Sequence, residues 1–201
     1  AMNAPTPHAA ATRRMPAGSY YDPALDTDVI KLLPADWRVS AEDVALATVL
    51  GSCVAACMYD PLAKVGGMNH FMLPDAAPGD GSARYGAHAM ELLINGMLKH
   101  GAARARLQAK VFGGGNVLPG MTLDPIGTRN ANFVLEYLNA ERIPVQAQDL
   151  GGVQPRKVVF FVRTGRTLVK RLPAAGEIAR IERDYRSRLA QTPVAGSVEL
   201  F

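Results

Sequence analysis

Cysteine is scarce: the chain of 201 residues holds two, Cys53 and Cys57, too few for a disulfide framework. On one extended strand their Cα atoms stand roughly 13 Å apart, at about 3.3 Å per residue. A bridge spans no more than about 7 Å without backbone movement, so both are expected as free thiols. Histidine numbers four, none of it in a Cys-x-x-Cys or His-Glu-x-x-His context, which makes a closed zinc site the weaker reading; no cofactor is expected. No run of about 18 apolar residues occurs, so no membrane-spanning helix is expected. The first residues mix Pro, Thr, Ala and Arg without an apolar block, so no secretory signal is expected either. A cytoplasmic protein follows from these absences, and Ala1 ahead of Met2 reads as a residue added before the native start.

What is present is apolar residue in quantity, 48% against 20% charged, enough to bury one sizeable core. The expected organisation is a disordered tail over residues 1–19, one domain over 20–191 and a C-terminal tail over 192–201. The net charge of +4 is uneven: residues 156–188 carry ten Arg or Lys against three acids, residues 1–155 twelve against fourteen. This basic end reads first as a solvated helix face and second as a docking surface for an acidic partner, through Arg180, Arg183 and Arg186. Nucleic acid is disfavoured, because the basic residues are not interleaved with aromatics or a reader motif.

Short apolar runs dominate the first part: VIKLL from Val29, VALATVL at 44–50, CVAACMY at 53–59 and MNHFML at 68–73, all read as buried strands. A helix is expected from Gly86 to His100, with Met90, Leu93, Ile94, Met97 and Leu98 on one stripe and Gly101 as a left-handed cap. A further strand, RLQAKVF at 106–112, runs into Gly113–Gly115, after which Thr128 or Asn130 can cap a second helix. The runs 157–163 and 166–172 around Thr164 and Gly165 predict a hairpin with a two-residue loop. Ile178, Ile181, Tyr185 and Leu189 then mark a last, Arg-studded helix. The fold class expected is α+β, a layered sandwich of mixed sheets with flanking helices.

The stretch Thr48–Pro74 carries the chemistry. Cys53 follows a Gly-Ser turn, and His70 lies seventeen residues later on the next strand-like run. If the two runs pair antiparallel, thiol and imidazole can meet across the pair, and an imidazole that takes the thiol proton makes the nucleophilic thiolate. Gly51 lets backbone N–H groups approach a carbonyl, as an oxyanion hole requires. Cys57, mid-run, reads as core. Gly113–Gly115 lack a following Gly-Lys-Ser/Thr, so a tight turn is the better reading than a phosphate site. His88 and His100 read as ordinary helix residues.

The block LGSC-Val-Ala, then Asp-Pro, then Gly-Gly-Met-x-His-Phe-x-Leu-Pro resembles the CheD family of chemoreceptor glutamine deamidases. KVFGGGN at 110–116, IGTRN at 126–130 and DLGGVQPRKVVFFVRTGR at 149–166 carry the same resemblance. It implies Cys53 as nucleophile, His70 as general base and Thr48 as the hydroxyl that orients the histidine. It also implies a fold similar to the CNF-type toxin deamidases, conversion of receptor glutamines to glutamate through a Cys thioester with loss of ammonia, chemoreceptor cytoplasmic helices as substrate, and a CheC-type phosphatase as a further partner. Arg129, Asn130 and Arg156 lie in the shared stretches without an assigned role. Two other readings stand beside it: a noncatalytic adaptor that binds the phosphatase, and another cysteine hydrolase or acyl transferase.

Overall fold

A computed structural model of the protein describes residues 16–74, 81–117, 125–173 and 176–191. Two five-stranded mixed sheets face each other. The first has the order β1(Ser19–Asp22), β2(Thr27–Lys31), β4(Val44–Leu50), β9(Arg156–Phe161), β10(Thr167–Arg171). The second has the order β3(Trp37–Ser40), β6(Val65–Asn69), β5(Val54–Asp60), β7(Gln108–Gly113), β8(Val145–Leu150). Each holds one parallel pair, β2 with β4 and β7 with β8; every other pairing is antiparallel. Helices α1(Gly81–Lys99) and α2(Ile126–Ala140) cover the outer face of the second sheet. The α+β layered sandwich expected from the sequence is therefore present. No helix of the described residues is long and apolar enough to cross a membrane.

Strand alternation divides the core into layers. Val54, Ala56 and Met58 of β5 point toward the helices, where they meet Met90, Leu93, Met97, Val134 and Leu138. Cys53, Ala55 and Cys57 point the other way, into the space between the sheets, together with Leu46 and Leu50 of β4 and Val158 and Phe160 of β9. Ala45, Ala47 and Val159 lie on the far face of the first sheet under Leu25, Phe161 and Leu168. β4 and β5 are thus covered on both faces, which is why they read as continuous apolar runs instead of alternating ones. Cys57 is a buried free thiol of the inter-sheet core, as expected.

Several element boundaries differ from the sequence reading. α1 begins at Gly81, five residues early, and ends as read: Gly101 has φ +97°, with Ala102 N–H to Met97 O and Gly101 N–H to Leu98 O at 3.1 Å each, a Schellman closure. Leu98, placed on its apolar stripe, is exposed. Neither Thr128 nor Asn130 caps α2. The helix starts at Ile126 after Pro125 with no side-chain cap, and both residues lie inside it. The β9–β10 hairpin forms, but Val162 leaves the pair to donate to Val44 O at 3.1 Å, so the loop spans 162–166 and not two residues. The run 68–73 is not one strand either: β6 stops at Asn69, and Phe71 touches β5 again only through a bridge to Val54.

Of the two tails, residues 1–15 and 192–201 lie outside the described residues, while Ser19 opens β1. α3(Gly176–Gln191) closes the described chain. It lies over one end of the inter-sheet layer, where Tyr185 is buried and Ala179 and Leu189 pack.

Candidate active site

Gly51, Ser52 and Cys53 form the link by which the chain leaves β4 in one sheet and enters β5 in the other. From behind, all three carbonyls are held. Gly51 O accepts from Gly115 N–H at 2.9 Å and Cys53 O from Gly114 N–H at 2.8 Å, while Ser52 O accepts from Asn130 Nδ2 at 2.8 Å. Asn130 Oδ1 in turn accepts from Leu73 N–H at 2.9 Å. Tying back three successive carbonyls presents the three N–H groups together on the opposite side, a concavity suited to an anion or a developing oxyanion. The glycine-rich turn is the tight turn expected: its donors are spent on this link. Gly113 adopts φ +106°, and a Cβ there would stand 2.1 Å from Cys53 O.

The N–H cluster is occupied by a carboxylate of the chain itself. Glu182 of α3 accepts through Oε1 from Gly51 N–H at 2.8 Å and Cys53 N–H at 3.1 Å. Through Oε2 it accepts from Ser52 N–H and Ser52 Oγ–H, both at 2.6 Å. Glu182 is 2% exposed. These four donors replace the water that a buried carboxylate would otherwise lose.

Thr48 and His70 meet across the sheets. Thr48 shares the inward parity of Leu46 and Leu50, and His70 that of Met68 and Met72. The Thr48 hydroxyl donates to Leu32 O at 2.9 Å, which uses its only hydrogen. Its oxygen is 2.7 Å from His70 Nδ1, so it accepts there, and the pair assigns the proton to Nδ1 and a lone pair to Nε2. Nε2 is buried and has no hydrogen-bond partner. Burial pushes the imidazole down to about 3, keeping it neutral. The His70 backbone turns away from β5: its N–H donates to Asp36 O at 3.0 Å and its carbonyl accepts from Ala35 N–H at 2.9 Å. Asn69 Oδ1 takes the vacated Ala56 N–H at 2.9 Å.

Cys53 is fully buried. The register of β5 against β6, continued through the Val54–Phe71 bridge, sets Cys53 and His70 on one face as diagonal neighbours. The thiol is not hydrogen-bonded to Nε2 here. Burial raises it well above its ordinary range, and the charge and hydrogen bonding of Glu182 beside it raise it further. Tyr185 closes the site from α3; its hydroxyl lies 2.7 Å from that of Tyr85 on α1.

The structure thus gathers Thr48, His70 and Cys53 in one buried region and adds Glu182, Tyr185 and Asn130. The signal for Glu182 was present: it stands four residues after Ile178 and three before Tyr185, on the helix's buried stripe, while Ile181 is 43% exposed. Arg156 and Arg129 serve the backbone. Arg156, 1% exposed, donates to the carbonyls of Asp149, Gly151 and Gln154, and Arg129 to Pro74 O at 3.0 Å.

A family model described as CheD chemotactic sensory transduction matches residues 72–171. A Xanthomonas campestris pv. campestris protein named probable chemoreceptor glutamine deamidase CheD is 58% identical over 185 residues, covering 90% of this chain and 93% of its own. The chain belongs to the CheD family. CheD relatives of the same printed name occur in Stenotrophomonas maltophilia, 57% identical over 185 residues with coverage of 90% and 93%, and in Thiobacillus denitrificans, 53% over 189 residues with coverage of 90% and 94%. The solved structure of the hypothetical protein YfiH from Bacillus licheniformis is 16% identical with a TM-score of 0.36, over 56% of this chain and 49% of its own. The family-model match begins just after His70, whereas the relatives align over 90% of the chain; neither comparison assigns a role to an individual residue.

Proposed function

We propose that this protein deamidates glutamine side chains of chemoreceptors, with Cys53 as nucleophile, His70 as general base and acid, and Thr48 as the residue that fixes the imidazole. The observation that carries the reading is the Thr48–His70 hydrogen bond. It spends Nδ1 on the threonine and leaves the Nε2 lone pair free in the layer that Cys53 faces.

The reaction begins when the Cys53 thiol proton passes to Nε2 and the thiolate attacks the carboxamide carbon. The carbonyl oxygen, now an oxyanion, takes hydrogen bonds from the N–H groups of the Gly51–Cys53 link. Collapse expels the nitrogen as ammonia with the proton held on Nε2, leaving a thioester. Water gives a proton to the same nitrogen as it attacks the thioester, and the thiol leaves reprotonated, so Gln and water become Glu and ammonia. Burial disfavours both thiolate and imidazolium before substrate arrives, because each is a charge in an apolar layer. Proton transfer is therefore coupled to substrate entry, when the N–H cluster meets the developing charge.

A deamidase of receptor cytoplasmic helices works in the cytoplasm. The resemblance adds a CheC-type phosphatase as a partner and kinship with the CNF-type toxin deamidase fold. The test is to incubate the wild-type protein and Cys53→Ala with a chemoreceptor cytoplasmic fragment, following ammonia and Gln-to-Glu conversion by peptide mass spectrometry. Conversion in the first and none in the second is expected. Fragment bound but unchanged by the wild type would leave an adaptor, and peptide cleavage or amine incorporation another acyl-transfer enzyme.

A further inference from the structure

Resting on the deamidase reading, we infer that α3 lies in the seat of the substrate helix, with Glu182 held as a product-like plug that must leave before a receptor glutamine can enter. Glutamate is what the reaction leaves on its substrate. Here a glutamate side chain, presented from a helix, puts both carboxylate oxygens on the N–H groups of the nucleophile's own link, Oε1 at 3.1 Å from Cys53 N and 2.8 Å from Gly51 N. N–H donors placed to hold the charge that develops on a substrate carbonyl oxygen also hold a carboxylate oxygen delivered to the same point. Glu182 therefore marks where a substrate carboxamide sits and shows that a helix can deliver it.

Accessibility leads to the same place. Cys53 is 0% and His70 3% exposed, so no protein side chain reaches them while α3 is seated. The closure is local. α3 is anchored by the Glu182 contacts, by the Tyr85–Tyr185 hydroxyl pair and by a thin apolar stripe, while Arg180, Ile181, Arg183 and Asp184 face solvent. Beside it a cavity of about 270 Å³ is lined by Leu32, Pro34, Val49, His70, Ile178 and Glu182. The imidazole and α3 side chains thus line one cavity, so α3 forms part of the wall next to His70. A negative charge lodged in the oxyanion cluster also opposes thiolate formation at Cys53, so the seated helix blocks both entry and activation. The partner that fits is an amphipathic helix carrying glutamine at the place of Glu182; α3 is its intramolecular competitor.

Two substitutions in the full-length chain test this. Glu182→Lys sets an ammonium against three N–H donors and must unseat α3. Alkylation of Cys53 by iodoacetamide, located by peptide mapping, is expected to rise at least about tenfold, the factor for a site open in one molecule of ten or fewer before the change. Turnover of a receptor fragment rises with it. Glu182→Gln keeps the seat but supplies a carboxamide, and slow conversion to Glu at position 182 is expected, abolished when Cys53→Ala is added. The inference is overturned if folded Glu182→Lys, checked by circular dichroism, leaves Cys53 as unreactive as in the wild type, since Glu182 is then a fixed strut of the link. It is equally overturned if the wild type deamidates receptor fragments while position 182 in Glu182→Gln stays unconverted. Wild type and Glu182→Lys both inactive on every receptor fragment would instead remove the deamidase reading, and the alkylation rates would still decide whether α3 covers Cys53 reversibly.

Discussion

Thr48→Val removes one oxygen and keeps the shape, so it isolates the hydroxyl that links the two sheets at the site. In the wild type that oxygen donates to Leu32 O at 2.9 Å and accepts from His70 Nδ1–H at 2.7 Å, both buried. Valine does neither, leaving a carbonyl and a ring N–H without partners in an apolar layer. Each such loss costs about 1–3 kcal/mol, and the added methyl recovers part of it, so a net destabilisation of about 2–4 kcal/mol is expected. It should appear as a lower urea midpoint at unchanged slope. The catalytic effect is separate. Without its acceptor the imidazole is free to carry its proton on Nε2, where it cannot take one from Cys53, and kcat/KM should fall by about 10²–10⁴ with little change in KM. Nitrogen-15 NMR of labelled histidine reads the tautomer directly: a protonated Nδ1 in the wild type, a mixture in the variant. Thr48→Ser keeps the oxygen and should restore tautomer and rate. A Thr48→Val protein with wild-type stability, tautomer and turnover would refute the orientation argument.

The second prediction concerns Asn130, which ties Ser52 O to Leu73 N–H. Asn130→Ala strands both and should cost about 2–4 kcal/mol, with amide exchange at Ser52 and Cys53 accelerating more than in β9; uniform acceleration would argue against a local strut. The third follows from burial of His70, which holds its imidazole down to about 3. The unfolded chain takes up this proton near pH 6.5 and the native chain does not, so the stability due to His70 is complete above that pH and is lost as pH falls toward 3. At pH 4.5 the loss is about 2–3 kcal/mol, from about 1.4 kcal/mol per unit. His70→Asn should lack this component in urea titrations at pH 7 and pH 4.5; equal pH dependence in both proteins would contradict a buried neutral imidazole.

Some of this was legible along the chain because it is local. β4 spans Val44–Leu50, the run read from the sequence, since a strand buried on both faces must be apolar throughout. The end of α1 was set by Gly101, whose conformation other residues disfavour. The thiol and the imidazole were legible as a pair of reactive types on neighbouring runs, and the family resemblance singled out Thr48 as well. Edge strands were not legible: β1 and β8 are mostly half-buried or exposed, so neither continuous apolar runs nor clean alternation marked them. The cap of α2 was misplaced because Asn130 is a good capping residue whose side chain is engaged in tertiary contacts.

The sequence by itself determined the core, the helix stop, the free thiols and the chemical types at the site, because each follows from neighbours a few positions away. Only the tertiary structure decided how they work together. Thr48 lies in one sheet and His70 beside the other, so their hydrogen bond exists only once the sheets face each other. The N–H cluster forms because Gly114, Gly115 and Asn130, far along the chain, hold the carbonyls behind it. Glu182, separated by 130 positions from Ser52, is marked by its spacing as a stripe residue, but nothing near it in the chain marks a partner for its charge. Its burial follows from a fold that offers four hydrogen-bond donors at the one place α3 can reach.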